Sequence, residues 1–143
     1  MIDTSVNYLG LELKSPFIAA SSGYTADLEK IVALARSGAG AIVLKSLFEE
    51  QISNEIGFLE SVGADSPESL DFLKRYVTDY SVGNYVKLIK DAKKESGIPV
   101  IASINCFSLS SWTDFAKEIE KAGADALLVV TPYYNKTTQK GLV

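Results

Sequence analysis

The chain has 143 residues, 47% of them hydrophobic, which is enough for one domain with a substantial core. It has one cysteine and no histidine, which excludes Ser-His-Asp catalysis, an internal disulfide and a multi-cysteine metal site, so we expect no metal. The net charge of −4 argues against nucleic acid and acidic membranes, and no apolar run reaches the ~18 residues of a membrane span. We therefore expect a cytoplasmic protein with a small-molecule partner.

The first residues predict a small hairpin followed by a strand of a parallel sheet. Residues 6–8 and 11–13 are two short apolar segments with Gly10 at their turn. Residues 16–21 predict the first parallel strand, which ends in small residues that allow another molecule to approach. Thr25 is a candidate N-cap of the next helix, and Gly38 is expected to end that helix.

The second predicted strand, residues 41–45, is apolar until its last residue, Lys45. This pattern predicts a lysine at the carboxyl edge of the sheet, where ligands bind in parallel α/β folds. Residues 46–65 have little periodicity and predict a long loop over that edge. Two helices are expected next, one beginning at Ser66-Pro67 and one beginning at Ser81.

Residues 99–105 and 126–131 predict the third and fourth strands, with a helix capped by Ser111 between them. The helix-to-strand joints at residues 37–44 and 122–129 have similar sequences, as is typical of the bottom of a (β/α) barrel. The predicted fold class is therefore α/β: half of a (β/α)8 TIM barrel, with four parallel strands preceded by a small N-terminal hairpin. We expect one truncated barrel domain over residues 1–143.

Several short motifs lie in or after the predicted strands. They are Ala20-Ser21, Lys45-Ser46 and Ile101-Ala102-Ser103-Ile104, followed by Cys106 and Trp112. In these motifs, residues 7–126 resemble the dihydroorotate dehydrogenase family, including the flavin barrel of dihydropyrimidine dehydrogenase. In that family the Ala-Ser pair lies against FMN and the lysine approaches the flavin.

The resemblance implies an FMN site formed by Ala20, Ser21, Lys45 and Ser46. Asn105 is a further candidate, as a donor to a flavin or substrate carbonyl or as a partner of the loop backbone. The lysine would stabilise the negative charge of reduced flavin. Because phosphate sites in such barrels are built from loops after strands seven and eight, we expect FMN binding to be weak or absent.

The fourth strand departs from the pattern of this family. Val130 occupies the position of the family's substrate-binding asparagine, and Tyr133 occupies that of its cysteine base. Cys106 lies on another strand's loop and is interpreted as a small buried hydrophobic residue. The oxidoreductase set of catalytic residues is therefore expected to be incomplete.

The tail carries a different motif, Thr131-Pro132-Tyr133-Tyr134-Asn135, within a longer matching segment at residues 124–142. In this segment the chain resembles the dihydrodipicolinate synthase and N-acetylneuraminate lyase family. The resemblance implies that Tyr134 relays protons to a Schiff-base lysine on the following strand, which is expected beyond Val143. The family's Gly-Thr-Thr-Gly-Glu motif is replaced here by residues 45–48. The alternative is that both tyrosines pack at a strand end.

Three hypotheses follow. The first is a truncated or chimeric FMN-dependent oxidoreductase of the dihydroorotate dehydrogenase type that acts on a dihydropyrimidine and is catalytically incomplete. In this hypothesis residues 1–126 derive from that family and residues 127–143 form the lyase-like tail. The second is a Schiff-base aldolase or lyase that depends on Tyr134. The third is a non-catalytic half-barrel that forms a homo-oligomer through the exposed edges of its first and fourth strands.

Overall fold

The computed structural model of the protein describes residues 3–63, 67–106 and 109–130. In chain order its elements are β1 (Val6–Tyr8), β2 (Leu11–Leu13), β3 (Ile18–Ala19), a 3-10 helix (Gly23–Ala26), α1 (Leu28–Arg36), β4 (Ala41–Val43), β5 (Leu47–Phe48), α2 (Glu49–Gly63), α3 (Pro67–Ser96), β6 (Val100–Asn105), α4 (Leu109–Ala122) and β7 (Ala126–Val130). None of the described helices combines the length and apolar composition that crossing a bilayer requires.

The N-terminal hairpin is formed by β1 and β2, which pair antiparallel. Its turn residues, Leu9 and Gly10, have φ angles of 54° and 78°. Two successive positive φ angles are typical of a two-residue turn whose twist matches that of the flanking strands, and glycine adopts them without strain. The hairpin with Gly10 at its turn is therefore confirmed.

The main sheet is parallel and follows chain order through β3, β4, β6 and β7. Neighbouring parallel strands joined by helical crossovers are the repeating unit of a (β/α) barrel, and four such strands form part of its circumference. The predicted fold class, an α/β arrangement of four parallel strands after a hairpin, is confirmed. The short strand β5 also pairs with β6, through Leu47 opposite Ile104 and Phe48 opposite Asn105.

The core lies on both faces of the sheet. The larger part, between strands and helices, includes Ile42 and Ile104 from the strands and Ile89 from α3, all fully buried. The smaller part lies on the opposite face, where Leu13 of the hairpin packs with Ala41 and other strand residues. The hairpin therefore covers the inner face of the sheet near its amino end.

The start of α1 differs from the prediction. The N-cap is Asp27, whose carboxylate accepts a hydrogen bond from the Lys30 N–H at 3.1 Å. Thr25 lies two residues earlier in the 3-10 helix, where its hydroxyl donates to the Ser22 carbonyl at 3.1 Å and accepts from the Ser22 N–H at 3.0 Å. Thr25 is fully buried, so its hydroxyl pairs locally and is not available to cap α1.

The predicted loop at residues 46–65 is wrong, because most of this segment is helix α2. Ile52, Ile56 and Leu59 of α2 recur at helical spacing and pack into the larger core, which also contains Val77 of α3. The two helices expected after residue 66 are one continuous helix, α3. Burial of Val77, Tyr85 and their neighbours outweighs the cost of about 1 kcal/mol for the internal glycine, Gly83.

Candidate active site

Three serine hydroxyls from successive strand regions meet near the carboxyl edge of the sheet. The Ser46 Oγ lies 2.8 Å from the Ser103 Oγ and 3.5 Å from the Ser21 Oγ. The Ser46 N–H also donates to the Ser21 Oγ at 3.2 Å. Ser103 is fully buried within β6, whereas Ser21 is exposed, so this chain of hydroxyls runs from the sheet interior to the surface.

The Tyr85 hydroxyl fills a break along one edge of β6, between the part of β6 that pairs with β4 and the part that pairs with β5. The Leu44 N–H donates to the Ile101 carbonyl at 2.9 Å, and in a regular parallel ladder the Ser46 N–H would donate to the Ser103 carbonyl next. Because the Ser46 N–H is directed to Ser21 instead, the Ser103 main chain needs another partner. The Tyr85 hydroxyl accepts from the Ser103 N–H at 2.8 Å and donates to the Ser103 carbonyl at 3.0 Å.

Burial has a clear effect on the acidity of this phenol. Tyr85 projects from α3 into the core, and desolvation raises its pKa from 10.0 to about 12, although the hydrogen bond to Ser103 opposes the shift. Tyr85 is therefore a neutral phenol at physiological pH. It acts as both donor and acceptor, which an ionised tyrosine could not do.

A cleft of about 510 Å³ opens outside this break, between the sheet edge and helices α2 and α3. Ser46, Tyr85 and Lys45 line it together with apolar residues of helices α1, α2 and α3. Its charged residues include Lys87, whose ammonium lies 2.7 Å from the Asp91 carboxylate. The hydrogen bond and the charge of Asp91 raise the pKa of Lys87. The cleft thus combines an apolar wall with both signs of charge.

The structure brings two of the predicted site residues, Ser21 and Ser46, into contact with each other. Ala20 is exposed immediately after β3, and Lys45 is exposed with its N–H donating to the Thr25 carbonyl at 3.2 Å. Lys45 lines the cleft, but the described contacts do not link its ammonium to the serines. Tyr134 lies outside the described residues.

Asn105 ends β6 between Phe48 of β5 and Val130 of β7, its two register partners. Its side-chain Oδ1 is buried and has no hydrogen-bond partner among the described residues. A buried amide oxygen without a partner is energetically unfavourable and suits a donor from a ligand or from another part of the chain. The prediction of Asn105 as a ligand-binding residue stands as a prediction.

Two important residues were not identified from sequence. Ser103 belongs to a motif of the third predicted strand but was not predicted as a site residue, although it is the one polar residue inside the buried part of β6. Tyr85 lies on the buried face of its helix, and nothing in the sequence indicates that its hydroxyl bonds to a strand. The spacing of 18 residues between Tyr85 and Ser103 has no local pattern that would pair them.

Cys106 follows β6 and is only 6% exposed. Burial and, to a smaller extent, the charge of Glu49 raise the pKa of its thiol from 9.0 to about 11. It therefore has the properties of a small buried hydrophobic residue, as the sequence indicated.

The fold and this edge define a partial (β/α) barrel with a polar carboxyl edge. Residues 78–143 match the Dihydrodipicolinate synthetase family. The match begins well before the tail and includes β6, α4 and β7. It supports the lyase-family resemblance noted at residues 124–142.

Curated relatives named 4-hydroxy-tetrahydrodipicolinate synthase agree with this match. The relative from Bartonella quintana (strain Toulouse) is 38% identical over 96 residues, which is 66% of this chain and 30% of the relative. The relative from Rhodopseudomonas palustris (strain BisA53) is 58% identical over 45 residues, or 32% of this chain and 15% of the relative. The one from Bradyrhizobium diazoefficiens is 33% identical over 128 residues, or 87% of this chain and 40% of the relative. The chain thus spans 15 to 40% of the length of these relatives.

These matches overturn the first hypothesis. None of them supports the resemblance to dihydroorotate dehydrogenase, and the family and relatives that do match are dihydrodipicolinate synthases. The prediction of an FMN-dependent oxidoreductase acting on a dihydropyrimidine is therefore wrong. FMN is also wrong as the cofactor, because the matching family works through a Schiff base. Ala20, Ser21, Lys45, Ser46 and Asn105 remain predicted binding residues, but FMN is no longer the predicted ligand.

Proposed function

We propose that the protein carrying these residues is a Schiff-base lyase or aldolase of the dihydrodipicolinate synthase type, acting on a small oxo acid. The observation that carries the proposal is the family match over residues 78–143, which includes the Thr131-Pro132-Tyr133-Tyr134-Asn135 motif. The names of the relatives indicate 4-hydroxy-tetrahydrodipicolinate as the class of product. A cytoplasmic location is part of the proposal, since the free and buried Cys106 suits a reducing compartment.

The position of β7 supports a role for this motif at the carboxyl edge. β7 ends at Val130, which is the register partner of Asn105, and the sequence continues directly with Thr131. Because parallel strands end at one edge of the sheet, Val130 brings the end of β7 to the same edge as Asn105, and the motif follows Val130 in the sequence. Serine hydroxyls at this edge can donate hydrogen bonds to the carboxylate and carbonyl oxygens of an oxo acid, whereas the buried Asn105 Oδ1 is an acceptor and requires a donor.

The chemistry assigned to Tyr134 is proton transfer. In Schiff-base formation a lysine nitrogen attacks the carbonyl carbon of the oxo acid, and the carbonyl oxygen leaves as water. This departure requires protons, and a phenol positioned near the imine can give one and later recover it. Tyr134 would therefore accelerate imine formation without being consumed.

Borohydride trapping in the full-length polypeptide that contains these residues tests the proposal. Incubation with pyruvate and borohydride is expected to reduce the imine to a stable adduct on one lysine, located by peptide mass spectrometry. Tyr134→Phe should slow adduct formation by about 100-fold or more, the usual contribution of a general acid. Tyr133→Phe is the matched control and should slow it much less. Absence of an adduct, or equal losses in both variants, would refute the proposal.

A second candidate is self-association through the open edges of the sheet. In the described part of the chain, β3 pairs only with β4, and β7 pairs only with β6. Leu128, Val129 and Val130 on β7 are exposed. Unpaired strand edges that carry exposed apolar side chains favour pairing with another copy. A charge at this edge, as in Val129→Lys, should then dissociate the oligomer in light scattering, and an unchanged mass would argue against this interface.

A further inference from the structure

Three aromatic residues form a stacked row on the amino-terminal half of α3. Phe72, Tyr76 and Tyr80 lie four residues apart, so they occupy one face of the helix. The rings of Phe72 and Tyr76 are 6.4 Å apart with an interplanar angle of 20°, and those of Tyr76 and Tyr80 are 6.3 Å apart at 13°. We call these three residues the aromatic ladder.

The aromatic ladder is exposed, although the rest of α3 contributes strongly to the core. Phe72, Tyr76 and Tyr80 are 68%, 59% and 60% exposed, whereas Val77 in the same segment is buried. A buried aromatic side chain removes roughly 200 Å² from water, so the ladder leaves about 350–400 Å² of ring surface accessible. The largest contiguous apolar patch on a monomeric protein is typically about 300–600 Å² and is often functional, so a patch of this size is a candidate interaction surface.

Two opposite charges flank the ladder. Arg75 and Asp79 border the same shallow surface as the three rings. They lie four residues apart on the helix, yet the described salt bridges pair neither of them with the other or with any other described residue. Both charges are therefore available to a partner that brings one acidic and one basic group.

The order of these residues along α3 is nearly symmetric. Phe72 and Tyr80 are equidistant from Tyr76, and Arg75 and Asp79 are equidistant from position 77. The two centres differ by one residue, or about 1.5 Å along the helix axis. An antiparallel copy of the same helix would therefore place aromatic rings against aromatic rings. It would also place each Arg75 near the Asp79 of the other copy.

We propose that the aromatic ladder is the interface of a homodimer in which two copies pair antiparallel along α3 about a two-fold axis near Tyr76. A two-fold interface requires a surface that is complementary to itself, and this one is so in both shape and charge. A nucleic acid is a poorer occupant, because the chain has a net charge of −4 and Asp79 offsets the one cation in the patch.

The size of the patch sets the expected affinity. Two ladders would together bury about 700–800 Å² of ring surface, and their flanking residues would bring the total to about 1,000 Å² or slightly more. This is the low end for specific interfaces. We therefore expect a reversible dimer whose dissociation constant is in the micromolar range.

Sedimentation equilibrium over a concentration series from micromolar to several hundred micromolar tests the proposal. The wild-type protein should change from monomer to dimer over this series. Tyr76→Glu, which places two like charges at the axis, should raise the dissociation constant at least ten-fold. A protein that remains monomeric at every concentration would overturn the proposal.

A charge swap separates this interface from a general effect of surface substitution. Arg75→Asp and Asp79→Arg should each weaken the dimer, because residue 75 of one copy and residue 79 of the other then carry the same charge. The two-fold axis makes this repulsive pair occur twice. The double variant should recover most of the wild-type affinity, since the pairs are restored with their order reversed. Failure of this recovery would contradict the antiparallel register.

The sheet-edge variant Val129→Lys is the matched control. It should leave the dimer of the aromatic ladder unchanged. If Val129→Lys dissociates the protein while Tyr76→Glu does not, the open edge of β7 is the interface and the ladder proposal is wrong. Circular dichroism of each variant provides the fold check, and all four substituted positions are exposed in the structure.

Discussion

The Tyr85 hydroxyl accepts a hydrogen bond from the Ser103 N–H at 2.8 Å and donates one to the carbonyl of the same residue at 3.0 Å. A helix side chain thus takes the place of a strand residue in the sheet. This substitution allows the Ser46 N–H to donate to the Ser21 hydroxyl, and it leaves the Lys45-Ser46 segment beside the cleft.

Removing this hydroxyl should destabilise the protein. Tyr85→Phe leaves the main-chain N–H and carbonyl of a fully buried residue, Ser103, without their partner. Such unpaired groups cost about 1–3 kcal/mol in the free energy of unfolding. Urea denaturation followed by circular dichroism measures the loss. Tyr24→Phe, at an exposed tyrosine, is the control and should change stability by less than about 0.5 kcal/mol.

Stability should also fall at alkaline pH through Tyr85. Its pKa is raised to about 12 in the folded state, compared with 10.0 for an ordinary tyrosine, so the folded state favours the neutral phenol. The contribution of this pKa shift to the free energy of unfolding is complete below pH 10, where it is about 2–3 kcal/mol. It is lost as the pH rises from 10 to 12. Denaturation of wild type and Tyr85→Phe at several pH values measures it. The stability difference between the two proteins should shrink over this range, and a constant difference would contradict the assignment.

Asp125 should matter more to stability than its position before β7 suggests. Its carboxylate oxygens lie 2.6 and 2.7 Å from the Lys93 ammonium, and one of them accepts a hydrogen bond from the Val100 N–H at 2.7 Å. Asp125 therefore links α3, β6 and the start of β7. Asp125→Ala should lower the free energy of unfolding by about 2–3 kcal/mol, because these bonds are charge-assisted and partly buried. The control is Asp91→Ala, which breaks the exposed pair with Lys87 and should leave the melting temperature nearly unchanged.

Gly40 should not tolerate a side chain. A Cβ at this position would lie 1.9 Å from the Ser15 carbonyl oxygen, and this backbone contact cannot move aside cheaply. Gly40→Ala should therefore cost about 3 kcal/mol or more, or prevent folding. Gly57→Ala is a useful comparison, because a Cβ at Gly57 meets no atom within 4 Å and alanine favours helix α2. It should raise stability by roughly 0.5–1 kcal/mol, and similar melting temperatures for the two variants would be inconsistent with the structure.

Cys106 should resist alkylation in the native protein. Its pKa of about 11 leaves very little thiolate at pH 8, and the side chain is almost inaccessible. Iodoacetamide labelling measured by mass spectrometry should be at least about 100-fold slower than in urea-denatured protein. Rapid labelling of the folded protein would show that the thiol is exposed and reactive.

The sequence identified much of the scaffold because the relevant signals are local. The turn at Gly10 and the apolar runs that become β4, β6 and β7 are set by residues close together in the chain. Helix α2 was missed because its apolar positions are few, and its stability depends on packing against α3. The tail motif is equally local, because its residues, 131–135, are consecutive in the chain.

By itself, the sequence determined the order of the four main parallel strands, the hairpin, the polar residues at the strand ends and the lyase-like motif, since these follow from local periodicity and residue type. Only the tertiary structure decided that Ser46 meets Ser103 across 57 residues and that Tyr85 completes the sheet at Ser103. Such pairs depend on how strands register and where a helix crosses them. The free energies of burial and hydrogen bonding that favour such pairs come from segments distant in the sequence, so no local pattern of residues reveals them.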